Sequence, residues 1–183
     1  LLTNAGLTYE AMSSGVDEAA LKQDFLDAGR SAGDIAITLA QAKALAISRS
    51  HPSALVIGAD QTLDLEGRLF DKPETPAAAV AQLNVLNGRT HLLHTAVAVA
   101  RSGRILWTHL ATARLTLRRL SQPALDRYIA ACGAQILDCV GGYQLEGLGV
   151  QLFDTIDGDY FAILGLPLLP LLAFLRTAGV ADL

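Results

Sequence analysis

The chain has 183 residues, is 51% hydrophobic and 17% charged, and carries a formal net charge of −4. That length fills one domain with a full core, divided at most into two lobes. The acidic balance argues against a broad face for a nucleic-acid polymer, which needs clustered cations, but leaves room for a small polyanion held by a few local lysines.

Residues 17–27 (DEAALKQDFLD) read as a helix stopped at Gly29. Ser31 and Asp34 resemble a capping box with Asp in place of Glu. They open a helix through IAITLAQAKALAISRS, with Ile35, Leu39, Ala42 and Ala46 on one stripe and Pro52 ending the segment. ALVIGAD is a short apolar run, read as a buried strand that ends on Asp60. LDLEGRLF alternates around Glu66-Gly67, which predicts a hairpin. Thr75-Pro76 is an N-cap and N1 pair for the helix AAAVAQLNVL, closed by Asn87-Gly88. THLLHTAVAVA and RILWTHLATARLTL flank the turn RSGR as two long antiparallel strands. Ser121 caps a helix QPALDRYIAAC, and GGYQLEGLG is a glycine-rich loop. VQLFDTI and DYFAIL read as strands around Asp157-Gly158, and a last helix runs from Pro167 to Gly179. Helices alternate with strands that are partly hairpins, which predicts an α/β protein with a mixed sheet.

No secretory signal is read in the sequence. The most apolar run, residues 163–175, is too short for a bilayer and contains Pro167 and Pro170, so it reads as a core helix and no membrane partner is expected. Cys132 and Cys139 form no CxxC pattern and read as reduced, partly buried thiols of a cytoplasmic protein. A homodimer is compatible with the sequence.

Two features carry chemistry. Asp60, taken as a strand-end carboxylate, lies where open α/β sheets place ligands; it can bind Mg²⁺, act as a general base or cap the next turn. Lys72 is followed by Pro73, which biases the lysine toward extended backbone. A hairpin between Asp60 and Lys72 would bring the two together, an acid for a cation and a lysine for phosphate oxygens. The alternative is a surface ion pair, worth about 0–1 kcal/mol. His91 and His94, three apart on a strand, face opposite sides and cannot chelate together. LEGLG is not a dinucleotide fingerprint, no P-loop is present, and the cysteines have no histidine at zinc spacing. Trp107 reads as core or lobe interface, and Asp157 and Asp159 as turn residues.

GADQ, the Lys-Pro after a hairpin, NGRTH, LEGLG and GDYFAILGLPL, in this order and spacing, resemble the Maf nucleotide pyrophosphatases across almost the whole chain. The resemblance implies a two-lobed mixed α/β fold with a central cleft, similar to inosine triphosphate pyrophosphatases. It implies hydrolysis of nucleoside triphosphates to monophosphate and pyrophosphate with a divalent metal, Mg²⁺ or Mn²⁺. By that similarity Asp60 is the catalytic acid, as proton acceptor or metal holder; Glu18 is a second active-site carboxylate and metal holder; Lys43 and Lys72 contact phosphate. Taken alone, Glu18 only favours its helix N-terminus, and Lys43 is a solvated helix lysine. Gln61 after Asp60, together with Glu146 in YQLEG, is similar to the branch associated with 7-methyl-GTP. An amide there can donate and accept, and a carboxylate can accept from the guanine edge and favour the charge of a methylated base. The other reading of Glu146 is satisfaction of N–H groups in its own loop. The family opens with a strand and an ASxSxxR-type loop, and LLTNAGL matches the segment next after that loop. The expectation is therefore that this phosphate loop is missing and that the chain as given turns over slowly. The alternative function is a nucleotide-binding or regulatory module of the same fold with impaired catalysis.

Overall fold

The computed structural model describes residues 1–181. The elements run α1 (Glu18–Asp27), α2 (Ala32–Ser50), β1 (Val56–Leu65), β2 (Arg68–Phe70), α3 (Pro76–Leu86), β3 (Thr90–Arg101), β4 (Arg104–Leu117), α4 (Gln122–Cys132), β5 (Phe153–Asp157), α5 (Tyr160–Ile163) and α6 (Leu168–Thr177). Short 3₁₀ turns fill the stretch between α4 and β5. The strand order is β2-β1-β3-β4-β5, with the β1–β2 and β4–β5 pairs antiparallel. The expected α/β class therefore stands. The chain divides into two compact units. The first holds residues 1–61, 94–111 and the described residues from 159 on; the second holds residues 62–93 and 112–158.

In the first unit, β3 is buried on both faces, which explains the run TAVAVA. Its alanines, Ala96, Ala98 and Ala100, pack with Ala36, Ala40 and Ala44 of α2. Its valines, Val97 and Val99, pack with Leu168, Leu171 and Leu175 of α6. Small residues on one face let a helix approach closely; branched ones on the other fill a wider gap. Trp107 belongs to the second cluster and stacks on Phe174 at 5.2 Å between centroids, a core role as expected. Ser31 caps α2: its hydroxyl accepts from Asp34 N at 3.1 Å and donates to the Asp34 carboxylate at 2.8 Å.

In the second unit the Glu66-Gly67 turn has positive φ at both positions, 56° and 84°, the geometry that matches the twist of a two-residue hairpin. Asp64 Oδ1 accepts from Gly67 N at 2.7 Å and closes it. Thr75 caps α3, accepting from Ala78 N, and Pro76 occupies its first turn. Asn87, expected only to stop this helix, clamps a distant segment. Its amide donates to Leu120 O and accepts from Leu120 N, at 2.9 and 2.8 Å.

Five local expectations need correction. The inward stripe of α2 continues from Ile35 and Leu39 through Ala40, Ala44 and Ser48, not Ala42 and Ala46, because the helix is seated by Ala36, Ala40 and Ala44 against the alanines of β3. β1 does not end at Asp60 but runs on to Leu65; the polar Asp60 and Gln61 side chains find partners on α2 and β3, so polarity does not terminate the strand. DYFAIL is not a strand. Asp159 accepts from Ala162 N at 2.7 Å and opens the single turn α5. The apolar run 163–175 is consequently divided between α5 and α6 rather than forming one helix. Ser121 stands at the N-cap of α4 without a side-chain capping bond. Cys132 and Cys139 are free thiols, half-buried as expected. No helix among the described residues is long and apolar enough to cross a membrane.

Candidate active site

Three residues foreseen separately converge in the first unit. Asp17 caps α1 by accepting from Ala20 N at 3.0 Å, which sets Glu18 in the first turn. Lys43 lies midway along α2 and Asp60 midway along β1. The Lys43 ammonium is 2.7 Å from Asp60 Oδ1 and 2.9 Å from Glu18 Oε1. The Asp60 side chain is 10% exposed and that of Glu18 52%, so one carboxylate is set deep and the other faces water. Lys43 thus has a partner at each carboxylate and is not a solvated helix lysine.

The close approach of α2 to β1 depends on a residue that sequence reading passed over. A Cβ on Gly58 would lie 2.3 Å from Ala40 O and 2.7 Å from Ala44 N. Gly58 and Asp60 share a face of β1, two residues apart. The helix backbone rests on the bare glycine, and Lys43, between Ala40 and Ala44, reaches the carboxylate. The signal for this was the "G" of GAD beside a helix rich in alanine.

Burial pushes the Asp60 carboxyl above its ordinary value of 3.8, and Glu18 adds to that; the hydrogen bond and charge of Lys43 pull the other way without prevailing. For Lys43, burial lowers the proton affinity, but the bonds and charges of Asp60 and Glu18 outweigh it, and the ammonium is held above its ordinary 10.5. The site is a charged lysine with a buried carboxylate of raised basicity, a combination suited to accepting a proton.

No group of three or more His, Cys, Asp or Glu side chains able to hold a metal occurs among the described residues. Two carboxylates, however, converge on one position, now filled by an ammonium. Mg²⁺ commonly takes one or two carboxylates and completes its shell with water and substrate phosphates. The pair fits a metal shared with a phosphate ligand; it does not fit an all-protein cage.

Gln61 points away from Asp60, as strand alternation requires. Its amide nitrogen lies 2.8 Å from Thr95 Oγ1 and 3.1 Å from both Ala162 O and Ile163 O. Thr95, 1% exposed, donates to Ala162 O at 2.9 Å. Gln61 therefore fastens β1 and β3 to the end of α5. Thr95 was not anticipated from sequence.

In the second unit, Lys72 is exposed and the following Pro73 buried, so the proline anchors the loop beneath the lysine. Gln82 Nε2 donates to Asp71 O at 2.8 Å and braces the same loop. Glu146 is exposed in the turn after Leu145. Lys72 and Glu146 share the surroundings of Cys139. Burial pushes that thiol up, a Gln144 hydrogen bond opposes it, the Glu146 charge raises it further and the Lys72 charge lowers it.

A family model described as "Maf-like protein" matches residues 1–178. The chain belongs to the Maf family. It is 49% identical over 184 residues to a protein of Nitrobacter hamburgensis named nucleoside triphosphate pyrophosphatase, covering 100% of this chain and 90% of that one. It is 47% identical over 182 residues to a protein of Rhizobium meliloti named 7-methyl-GTP pyrophosphatase, covering 100% and 92%. A Rhodospirillum rubrum protein named nucleoside triphosphate pyrophosphatase is 50% identical over 180 residues, covering 98% and 89%. Of the residues singled out in the sequence, Glu18, Lys43 and Asp60 come together in the first unit, and Lys72 and Glu146 both act on Cys139 in the second.

Proposed function

We propose that this Maf protein hydrolyses nucleoside triphosphates to a nucleoside monophosphate and pyrophosphate, with a preference for 7-methyl-GTP or other modified purine nucleotides. Family membership and the names of the relatives support the reaction class. The observation that carries the mechanism is the buried Asp60 carboxylate, raised in basicity and oriented by Lys43. Asp60 takes a proton from a water molecule; the water oxygen bonds to the α-phosphorus; the bond from that phosphorus to the bridging oxygen breaks, and pyrophosphate leaves with the electron pair. Lys43 holds Asp60 in place and supplies positive charge near the reacting phosphates, and the family resemblance assigns Lys72 a phosphate contact. Glu18 and Asp60 are the residues that would hold Mg²⁺ or Mn²⁺, which neutralises phosphate charge when bound.

Base selection is assigned to Glu146, an exposed carboxylate that can accept from the N1 and N2 donors of guanine and that favours the positive charge of N7-methylation. Gln61 contributes by holding α5, since its amide nitrogen is committed to Thr95, Ala162 and Ile163. A nucleotide substrate and free thiols fit a cytoplasmic setting.

The test is pyrophosphate release from 7-methyl-GTP, GTP, UTP and dTTP by the purified protein, with Mg²⁺, Mn²⁺ or chelator. Asp60→Asn is expected to abolish most turnover while retaining the fold. Near-normal release by that variant removes Asp60 from the chemistry. A preference for pyrimidine triphosphates refutes the base assignment and leaves the reaction class standing.

A further inference from the structure

Burial alternates along the segment that carries Glu146. Tyr143 and Leu145 are buried, Gln144 is half-buried and Glu146 exposed. Tyr143 and Leu145 therefore anchor the loop, and Glu146 is presented outward. The Tyr143 hydroxyl meets His91 Nε2 at 2.5 Å, a bond spanning 52 positions in sequence. His91 is 1% and Tyr143 5% exposed, so water does not compete for the bond. Phe153 closes the group: it stands edge-on to Tyr143 at 4.9 Å and lies 6.3 Å from His91. On either side the loop is fixed by close contacts. Tyr128 OH donates to Gly142 O at 3.0 Å, and a Cβ on Gly149 would fall 2.4 Å from Gln144 O.

We propose that His91 is a positioning residue for base selection: through the Tyr143 hydroxyl it fixes the loop that presents Glu146. This rests on the reading of Glu146 as the base-selecting carboxylate. Glu146 is three residues from the buried phenol, so a small rotation at Tyr143 moves the carboxylate by a distance that matters to a hydrogen bond. His91 touches neither the nucleotide nor the reacting atoms in this scheme. Its effect is on which base is accepted.

The experiment measures kcat and KM for 7-methyl-GTP and UTP in Tyr143→Phe, His91→Leu and His91→Gln, with Glu146→Gln in parallel. Loss of a buried hydrogen bond at this anchor is expected to raise KM for 7-methyl-GTP about tenfold in the first two variants. Their kcat/KM advantage for 7-methyl-GTP over UTP should narrow by a similar factor, with the change in KM exceeding that in kcat. His91→Gln places an amide nitrogen near the imidazole Nε2 position and is expected to recover most of the ratio. An unchanged ratio in Tyr143→Phe, or an equal loss for both nucleotides, overturns the proposal. If His91→Leu fails to fold, Tyr143→Phe decides alone, since it removes one oxygen atom. Where Glu146→Gln shifts the ranking and Tyr143→Phe does not, only the role of His91 is refuted. Where Glu146→Gln leaves the ranking intact, the base assignment fails and this proposal falls with it.

Discussion

Gly58→Ala is the smallest change that tests how the proposed Lys43–Asp60–Glu18 site is built. The backbone at Gly58 is not in the left-handed region, so alanine meets no conformational objection there. The objection is steric. The added carbon would lie 2.3 Å from Ala40 O, 2.7 Å from Ala44 N and 3.1 Å from Ala44 Cβ. Carbon contacts are comfortable at about 3.5 Å, so α2 must retreat by roughly 1 Å. Two of the obstructing atoms are helix backbone, which cannot rotate aside. Overpacking costs about 1–3 kcal/mol, and the upper end is expected here. For a chain of this size that corresponds to a fall in Tm of about 6–12 °C. The same retreat lengthens the 2.7 Å contact between Lys43 and Asp60. A misplacement of about 1 Å in a catalytic group can cost on the order of 100-fold in rate. Thermal denaturation and pyrophosphate release, measured on one preparation, check both effects. A variant within about 0.5 kcal/mol of the parent and fully active would show that α2 does not rest on β1 at this glycine.

Lys43→Met removes the cation that pulls the Asp60 carboxyl down, while burial and Glu18 still push it up. The lower limb of the pH profile of kcat/KM is therefore expected to move to higher pH; a limb that stays in place would show that Asp60 is not the titrating base. His91 is held down to about 4 from 6.5 by burial. Its folded value lies below its unfolded value, so the contribution to stability is complete above pH 6.5 and is lost as pH falls through 4. The loss amounts to roughly 3 kcal/mol. Urea midpoints should show this acid slope in the parent and not in His91→Phe; equal slopes would refute it. Gln61→Val leaves Thr95 with its bond to Ala162 O but removes the amide that joins β1 to α5. A loss of about 1–3 kcal/mol is expected, read from denaturant unfolding, and a stability gain would show that the buried amide is dispensable.

Most element positions are written in short windows of the chain. Asp17, Ser31 and Thr75 mark helix starts through bonds made within three residues, and Glu66-Gly67 sets its turn by backbone geometry alone. Such local interactions are legible because both partners lie in one short window. The candidate residues Asp60, Lys72 and Glu146 were singled out through the order of family motifs rather than any local pattern. The contacts those residues make come only from folding. The Lys43–Asp60 bond spans 17 positions, Gln61–Thr95 34 and His91–Tyr143 52. Folding also carries β1 past Asp60 and turns DYFAIL into a helix. In both cases a polar side chain found a partner, distant for Asp60 and at a helix start for Asp159, and that partner overrode the pattern of the surrounding apolar residues. Burial sets the basicity of Asp60 and the neutrality of His91, and burial is a property of the packed chain, not of neighbours in sequence.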